Sequence, residues 1–245
     1  IALMQAADIA IDYAKSRGPD SVRGVTASLR MLANARRNLA LDLQYAVRNN
    51  ELLLHYQPQV EASTGRICGV EALVRWAHPG MGMVPPDQFI PIAEETGAIL
   101  EIGDWVLNEA CRVISEWRSA GLTDITMSVN LSALQLRHAS IVPDLAQLIR
   151  SFNLPAHVLE LELTESVAMT DPQTTISTLQ AVRTLGVQMA IDDFGTGYSS
   201  LGYLKLLPMN RLKLDRSFVK DIQTDAKDAA ICSSTIALAH TLGLT

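Results

Sequence analysis

Apolar segments alternate with amphipathic helical segments from about residue 52 onward, and this alternation constrains the fold more than any other feature. Several of the apolar segments are almost continuously hydrophobic, which is typical of parallel strands covered by helices. The predicted strands are 52–57, 66–74, 126–130, 159–163, 188–191 and 211–214. The predicted helices between them are 86–96, 102–120, 141–152, 174–185, 198–204 and 226–242. Repeated units of this kind predict an α/β fold, either a barrel or a doubly wound sheet.

Two missing nucleotide-binding motifs and the composition narrow the choice of fold and of ligand. No Gly-x-Gly-x-x-Gly or Walker-type loop follows the first strand, which disfavours a dinucleotide or nucleoside-triphosphate fold and favours the barrel. The 245 residues, 48% of them hydrophobic, allow one domain of barrel size or two smaller ones. The formal net charge of −6 argues against a partner such as polymeric DNA or RNA. A nucleotide ligand stays open, because a divalent metal can supply the missing positive charge.

The cysteines and the hydropathy pattern indicate the compartment. Cys68, Cys111 and Cys232 are far apart and lie in apolar surroundings, so we expect unpaired structural thiols in a reducing cytoplasm. No segment approaches the ~18 continuous apolar residues of a membrane-spanning helix, and the first residues do not have a signal-peptide pattern. We therefore expect a cytoplasmic domain, and leave open a membrane anchor elsewhere in a longer protein.

Polar side chains interrupt or end five of the predicted strands. Charged groups in core strands are costly unless they are paired or bind metal. In a barrel these strand ends would meet at the carboxyl-terminal mouth, where barrel enzymes place their chemistry. Any one of these residues could instead cap a helix or pair with a rim arginine, but together they favour a site. The residues are Glu71, Asn130, Glu162, Asp192 with Asp193, and Lys213 with Asp215.

The chemistry of this residue set indicates the metal. Carboxylate and amide oxygens suit a hard cation, so Mg²⁺ or Mn²⁺ is favoured over Zn²⁺, which prefers His or Cys ligands. The adjacent Asp192 and Asp193 could touch two ions, an arrangement used for attack on phosphoesters. The segment that follows, 193–201, contains two glycines and small hydroxyl residues that would suit a phosphate or a moving loop. An ordinary turn is the alternative for that segment.

Seven motifs occur in order along residues 36–245: Tyr56-Gln-Pro58, Glu71-Ala-Leu-Val-Arg-Trp76, Phe89-Ile-Pro-Ile-Ala-Glu-Glu95, Ser128-Val-Asn-Leu-Ser132, Glu162-Leu-Thr-Glu165, Asp192-Asp-Phe-Gly-Thr-Gly-Tyr-Ser-Ser200 and Lys213-Leu-Asp-Arg-Ser-Phe218. Together these motifs closely resemble the EAL family of cyclic di-GMP phosphodiesterases. The resemblance implies a modified (β/α)8 TIM-like barrel with an antiparallel first strand.

The resemblance also implies roles for individual residues. One metal would be held by Glu71, Asn130, Glu162 and Asp192; a second would share Asp192 and bind Asp193. Lys213 would position the attacking water, and Glu165 would support the 193–201 loop. The residues implied to contact the dinucleotide are Gln57, Leu73, Asp215 and Arg75, the last directed at a phosphate. Arg75 could instead form a rim ion pair, and Lys213 a salt bridge without a catalytic role.

The implied activity is metal-dependent hydrolysis of cyclic di-GMP to linear pGpG, which lowers second-messenger levels in bacterial signalling. An alternative is a catalytically inactive receptor that binds cyclic di-GMP and acts through partner contacts. A third is an unrelated barrel enzyme that handles another phosphate ester. Two further points stay open. One is a homodimer through the barrel, as in many family members, and the other is the presence of upstream sensor domains.

The two ends of the chain carry separate expectations. Residues 1–26 resemble the last helix of a GGDEF domain, with a plain amphipathic extension as the alternative. Residues 27–50 are predicted to be a linker helix and the barrel entry, and 51–245 the EAL domain. The GGDEF loop itself is absent, so no cyclase activity is assigned. The C-terminal strands of the family's barrel, with a further metal-site Glu, are missing from the sequence, and we expect low activity if the chain ends at Thr245.

Overall fold

The computed structural model of the chain describes residues 27–169, 172–196 and 201–245. The predicted GGDEF remnant at 1–26 and residues 197–200 of the glycine-containing loop lie outside these ranges. The chain divides into two compact units. One unit contains Trp76–Ala98 and the described residues before Leu52, and the other contains Leu52–Arg75 and Ile99–Thr245.

Strands and helices alternate along the chain, as the hydrophobic pattern predicts. The strands are β1 (Leu52–Val60), β2 (Ile67–His78), β3 (Gly82–Val84), β4 (Thr126–Asn130), β5 (Leu159–Thr164), β6 (Gln188–Phe194) and β7 (Arg211–Leu214). The helices are α1 (Ala27–Leu43), α2 (Pro86–Thr96), α3 (Ile99–Ser119), α4 (Ala133–Arg137), α5 (Ile141–Ser151), α6 (Glu165–Met169), α7 (Pro172–Leu185), α8 (Leu201–Leu204), α9 (Arg216–Lys220) and α10 (Ala226–Thr241), with a 3-10 turn at Ala156–Val158.

The sheet of the larger unit has the strand order β1-β2-β4-β5-β6-β7. From β2 to β7 every neighbouring pair is parallel. β1 is joined to β2 by the six residues 61–66, which is too short for the crossover that a parallel pair needs. The amide of Glu61 donates to the carbonyl of Arg66 at 2.9 Å and closes this turn. The predicted antiparallel first strand is therefore confirmed.

One face of the parallel strands forms the core. On β5 the side chains of Leu159, Leu161 and Leu163 are fully buried, and Met127 and Ile191 continue this layer on β4 and β6. Full burial of such a side chain contributes roughly 1.5–3 kcal/mol relative to leaving it exposed. We call this face the helix face. Its side chains account for much of the hydrophobic sequence of the strands. Side chains alternate along a strand, so the intervening residues point to the opposite face.

A capping box fixes the chain directly after β4. Ser132 caps α4, with its hydroxyl accepting from the amide of Gln135 at 3.3 Å, while the Gln135 side chain accepts from the amide of Ser132 at 3.1 Å. Gln135 is buried against α3 at Gly103, where a Cβ would lie only 1.9 Å from Gln135 Nε2. Because Gly103 has no side chain, α4 can approach α3 closely. This close packing holds the segment that follows Asn130 in place.

The smaller unit is built around two aromatic side chains. Trp76 and Phe89 are completely buried and meet edge to face at 5.8 Å between ring centroids. The indole nitrogen of Trp76 donates to Glu51 Oε2 at 2.9 Å, so its polar atom has a partner. The last residues of β2 pair antiparallel with β3, Trp76 opposite Val84. α2 ends at Gly97, whose φ of 79° is the left-handed conformation common after helices.

The sequence prediction of β6 was too short. The strand continues through both aspartates to Phe194, with a register shift against β7 between Ile191 and Phe194. Asp193 adopts a left-handed φ of 53°, which hydrophobic periodicity does not indicate. Periodicity also gave no signal for four short elements: β3, α4, α6 and α9. Cys111 and Cys232 are buried, Cys68 is partly buried, and all three are free. Of the described helices, none is long and apolar enough to cross a membrane.

Candidate metal centre

Three carboxylates from three strands converge on the polar face of the sheet. Glu71, Glu162 and Asp192 come from β2, β5 and β6, and each offers an oxygen within 4.8 Å of the others. Parallel pairing brings them together, because Asn130 lies opposite Glu162 and Thr164 lies opposite Asp192 in the register. The structure thus brings together three of the four residues predicted to share a metal, in an arrangement that could hold one.

Lys213 of β7 lies among these carboxylates. Its ammonium is 2.6 Å from Glu162 Oε2, 3.1 Å from Asp192 Oδ1 and 3.3 Å from Glu71 Oε2. Burial by itself lowers the pKa of Lys213, but the attraction of the three carboxylates outweighs burial, so the pKa is raised and the side chain stays protonated. The salt bridge considered as the alternative for Lys213 is therefore present, with Asp192 and with two further acids, and the water-positioning role stays a prediction.

Glu162 is the most buried of the acids, with 1% of its surface exposed. The pKa of Glu162 is raised to about 7, mainly by burial and also by the charges of Glu71 and Asp192, while Lys213 opposes this rise. Among the described residues its Oε1 has no hydrogen-bond partner. A buried carboxylate oxygen without a donor is costly, and a bound cation would satisfy it. The residues present therefore fit a metal ion.

Asn130 lies beside the carboxylates at the end of β4. Its Nδ2 donates to Glu71 Oε1 at 2.8 Å. Rotation of the amide by half a turn would exchange Nδ2 and Oδ1, so the same side chain can offer either a donor or an oxygen ligand. The structure therefore places all four residues of the predicted first metal site close together.

Asp193 and Asp215 lie at the edge of this cluster. Loss of water contact on part of the Asp193 carboxyl raises its pKa, and the charges of Asp192 and Asp215 raise it further, although the residue is exposed overall. Asp215 caps α9 by accepting from the amide of Ser217 at 2.8 Å and from the hydroxyl of Ser217. These bonds lower the pKa of Asp215. The predicted contact of Asp215 with a dinucleotide stays a prediction.

Glu165 connects the start of α6 to the end of β6. It is 2% exposed, and its Oε2 accepts from the amide of Gly195 at 2.9 Å. Gly195 has a φ of 100°, and a Cβ there would lie 2.8 Å from the ring of Phe218. Only glycine fits this position without displacement. Glu165 thus holds the segment directly after the two aspartates, as its predicted supporting role requires, and the role itself stays a prediction.

The predicted dinucleotide contacts on β1 and β2 lie on the polar face. Leu73 and Arg75 follow Glu71 at intervals of two residues, so all three point the same way. Leu73 and Arg75 are half-buried, and Gln57 is exposed. Arg75 donates to the carbonyl of Val74 at 2.9 Å and forms no ion pair within the described ranges. This result does not support the rim ion pair considered for Arg75, and its predicted contact with phosphate stays a prediction.

Four polar residues that the sequence reasoning did not assign lie on the polar face, toward the amino ends of the parallel strands. Glu160 Oε1 accepts from Ser128 Oγ at 2.7 Å and from Arg211 Nη1 at 3.0 Å. Gln59 Nε2 donates to Ser128 Oγ at 3.4 Å. We call Gln59, Ser128, Glu160 and Arg211 the lower polar layer. The alternation Leu-Glu-Leu-Glu-Leu in β5 was its only sequence signal, because it puts two acids on one face.

The fold and the site define a class of α/β proteins that gather acidic side chains at the carboxyl ends of a mostly parallel sheet, where they could hold a cation. Comparison with known families then identifies the chain: the profile of the EAL domain matches residues 40–245, so this chain belongs to the EAL domain family.

Curated relatives resemble nearly the whole chain. MucR of Pseudomonas aeruginosa, described as a bifunctional diguanylate cyclase/cyclic di-GMP phosphodiesterase, is 45% identical over 243 residues, which is 99% of this chain and 35% of MucR. The cyclic di-GMP phosphodiesterase NbdA of Pseudomonas aeruginosa is 40% identical over 242 residues, which is 99% of this chain and 31% of NbdA. The chain thus spans about a third of the length of these relatives.

Solved structures share the fold. The PaMucR phosphodiesterase in its c-di-GMP complex is 48% identical, with a TM-score of 0.81, and the match covers 84% of each chain. The FimX EAL domain of Pseudomonas aeruginosa bound to c-di-GMP is 26% identical, with a TM-score of 0.76, and the match covers 84% of this chain and 83% of that one. These neighbours confirm the predicted α/β fold with a mostly parallel sheet, consistent with a modified TIM barrel.

Proposed function

We propose that this chain hydrolyses cyclic di-GMP to linear pGpG in a reaction that requires a divalent metal, and thereby lowers second-messenger levels in bacterial signalling. The observation that carries the proposal is the convergence of Glu71, Glu162 and Asp192 in an EAL domain. Relatives named as cyclic di-GMP phosphodiesterases and a 48% identical structure with bound c-di-GMP support the substrate.

Two ions of Mg²⁺ or Mn²⁺ suit the site. Glu71, Asn130, Glu162 and Asp192 would hold the first ion, and Asp192 with Asp193 the second. The donors are all oxygens, which these ions prefer, and the partnerless Glu162 Oε1 supports a ligand at that point. When bound, the ions would supply Lewis acidity that makes water more acidic and offsets charge on the phosphoryl oxygens.

The remaining residues position the reactants. Lys213 is protonated beside the acids, so it can donate to the attacking water and stabilise developing negative charge. Arg75, on the same face as Glu71, binds a phosphate, and Gln57, Leu73 and Asp215 contact the rest of the dinucleotide. Glu165 keeps Gly195 and the segment after the aspartates in place through the bond to the Gly195 amide.

Further assignments follow from the family. We infer that 51–245 is the EAL domain, that 27–50 is the linker helix and barrel entry, and that 1–26 ends a GGDEF domain. The MucR match supports this, because it extends over 99% of the chain and MucR is described as also being a diguanylate cyclase. The three free thiols support a reducing cytoplasm. The homodimer, the upstream sensor and any membrane anchor stay predictions.

The test is a turnover assay with cyclic di-GMP and either Mg²⁺ or Mn²⁺, with pGpG separated by liquid chromatography. We expect pGpG with the ions and none after chelation. One observation favours a second function, a receptor that does not cut the ligand: the ammonium of Lys213 contacts all three carboxylates and balances part of their charge from within the chain. Calorimetric binding of cyclic di-GMP with no pGpG under either ion would favour that receptor. Absence of binding would contradict both.

A further inference from the structure

The lower polar layer repeats the arrangement of the candidate metal centre two residues nearer the amino ends of the strands. Glu160 precedes Glu162 on β5, and Arg211 precedes Lys213 on β7. Two residues along a strand correspond to about 6–7 Å. Glu160 and Arg211 therefore lie one such interval from Glu162 and Lys213, near enough to act through their charge on an ion held there.

The lower layer bridges β5 and β7 across β6. Arg211 pairs in register with Ala190 of β6, which is fully buried, and its guanidinium reaches beyond that strand to Glu160. The small alanine side chain leaves room for this reach on the polar face. The ion pair thus joins the strand that carries Glu162 to the strand that carries Lys213.

The charges of the two layers differ. At the candidate metal centre, three carboxylates face one ammonium, so two negative charges remain when all are ionised. In the lower layer, one carboxylate faces one guanidinium, and the pair is neutral. The Glu160 side chain is only 3% exposed, so solvent screens it little. Without Glu160, the positive charge of Arg211, whose side chain is 34% exposed and so only partly screened by solvent, would act on the layer above.

We propose that Glu160 and Arg211 are a positioning pair that tunes the affinity of the candidate metal centre for divalent cations. Glu160 cancels the charge of Arg211, which would otherwise repel an incoming cation, while the pair keeps Glu162 and Lys213 facing each other. The inference rests on the proposed function and adds two residues that the proposed function does not use.

The test measures Mn²⁺ binding to the metal-free protein by the loss of the free Mn²⁺ paramagnetic resonance signal, without substrate. Glu160→Gln leaves Arg211 uncompensated, so we expect the dissociation constant to rise at least about tenfold for a unit charge acting on a divalent ion over this distance. Arg211→Gln should bind Mn²⁺ as tightly as the parent or more tightly. The double variant should return to within about threefold of the parent, because both charges are gone.

The pattern separates charge compensation from a purely structural role. If the pair only held strands together, both single variants and the double variant would all weaken binding. A matched control is Glu116→Gln, which removes the exposed partner of Arg112 and should leave the affinity unchanged. Parent affinity in Glu160→Gln, or a double variant no tighter than Glu160→Gln, would overturn the proposal. If Glu160→Gln does not fold, Arg211→Gln decides, since binding weakened more than about threefold overturns it.

The same Mn²⁺ titration separates a failure of the proposed function from a failure of the positioning pair. A parent protein that binds no Mn²⁺ contradicts both the proposed function and the positioning pair. A parent that binds Mn²⁺ and forms pGpG, with variants that lack the expected pattern, contradicts the positioning pair alone.

Discussion

The two faces of β5 are equally buried and chemically opposite. Leu159, Leu161 and Leu163 point to the helix face, whereas Glu160 and Glu162 point to the polar face, and all five are at most 2% exposed. Burial of the leucines stabilises the fold by the transfer of apolar surface from water. Burial of the glutamates is unfavourable unless partners compensate for it.

Burial is therefore favourable on the helix face and costly on the polar face. The hydrogen-bond and ion-pair partners of each glutamate show whether that cost is compensated. Glu160 has Ser128 and Arg211, so its burial is compensated within the chain. Glu162 has Lys213 at one oxygen and no partner at the other among the described residues. The helix face should thus determine stability, and the polar face should determine activity. Variants of the two faces test this separation.

The largest effect is expected from Glu71→Ala on the polar face. Loss of a metal ligand and of the contact to Lys213 should lower kcat by at least about 1000-fold, the scale of a lost electrostatic contribution at an active site. The free energy of unfolding should change by less than about 1 kcal/mol, because removal of this half-buried side chain relieves repulsion with Glu162 and so offsets the lost contacts with Lys213 and Asn130. Chromatography of pGpG and urea unfolding measure the two quantities. Near-normal rates at saturating Mg²⁺ would show that Glu71 is not a ligand.

The next effect is expected from Leu161→Ala on the helix face. Removal of a fully buried leucine side chain should lower the free energy of unfolding by about 2–5 kcal/mol through lost burial and a cavity. The rate per folded molecule should stay near that of the parent. Leu122→Ala is the matched control, because Leu122 is 50% exposed and its loss should cost little. A fall in kcat without a fall in stability would contradict the division between the faces.

The sequence predicted the parallel strands and the grouping of polar side chains on one face for a physical reason, and that this group binds metal stays a prediction. The strands are hydrophobic where helices cover them, so the polar residues Glu71, Asn130 and Glu162 are easily recognised within the hydrophobic sequence. Parallel register then brings such exceptions together without any further information.

The sequence did not predict features that depend on conformation or on a distant partner. The left-handed φ of Asp193 and the continuation of β6 to Phe194 arise from the register shift against β7. The pairing of Glu160 with Arg211 joins residues 51 positions apart, and no local pattern indicates which acid a given arginine meets. For Lys213 the sequence suggested a water-positioning role or a single salt bridge, but not simultaneous contacts with three carboxylates.

A smaller effect is expected from Glu165→Ala. Loss of the bond to the Gly195 amide should loosen the segment that carries Asp192 and Asp193, so we expect kcat and Mg²⁺ affinity each to fall about 10- to 100-fold. Glu165→Gln keeps an oxygen that can accept from this amide and should lose less. Kinetics over a range of Mg²⁺ concentrations measure both effects. An alanine variant indistinguishable from the parent would remove the supporting role.

The smallest effect is the pH dependence of metal binding. The pKa of Glu162 is raised to about 7, above the value near 4.3 of an exposed glutamate. In the metal-free protein this group therefore favours folding at low pH, and that contribution is lost as the pH rises through about 7. A metal needs the ionised form, so Mg²⁺ affinity should fall about tenfold between about pH 8 and about pH 6.

Thermal unfolding with and without Mg²⁺ at these two pH values measures this dependence. The increase in Tm caused by Mg²⁺ should be larger at the higher pH. Glu162→Gln removes the titrating group, so the remaining Mg²⁺ effect in that variant should be weak and nearly independent of pH. An equal Mg²⁺ effect at both pH values in the parent would mean that the carboxylate of Glu162 is already ionised without metal. Lys213 would then stabilise the ionised form of Glu162 without a metal ion.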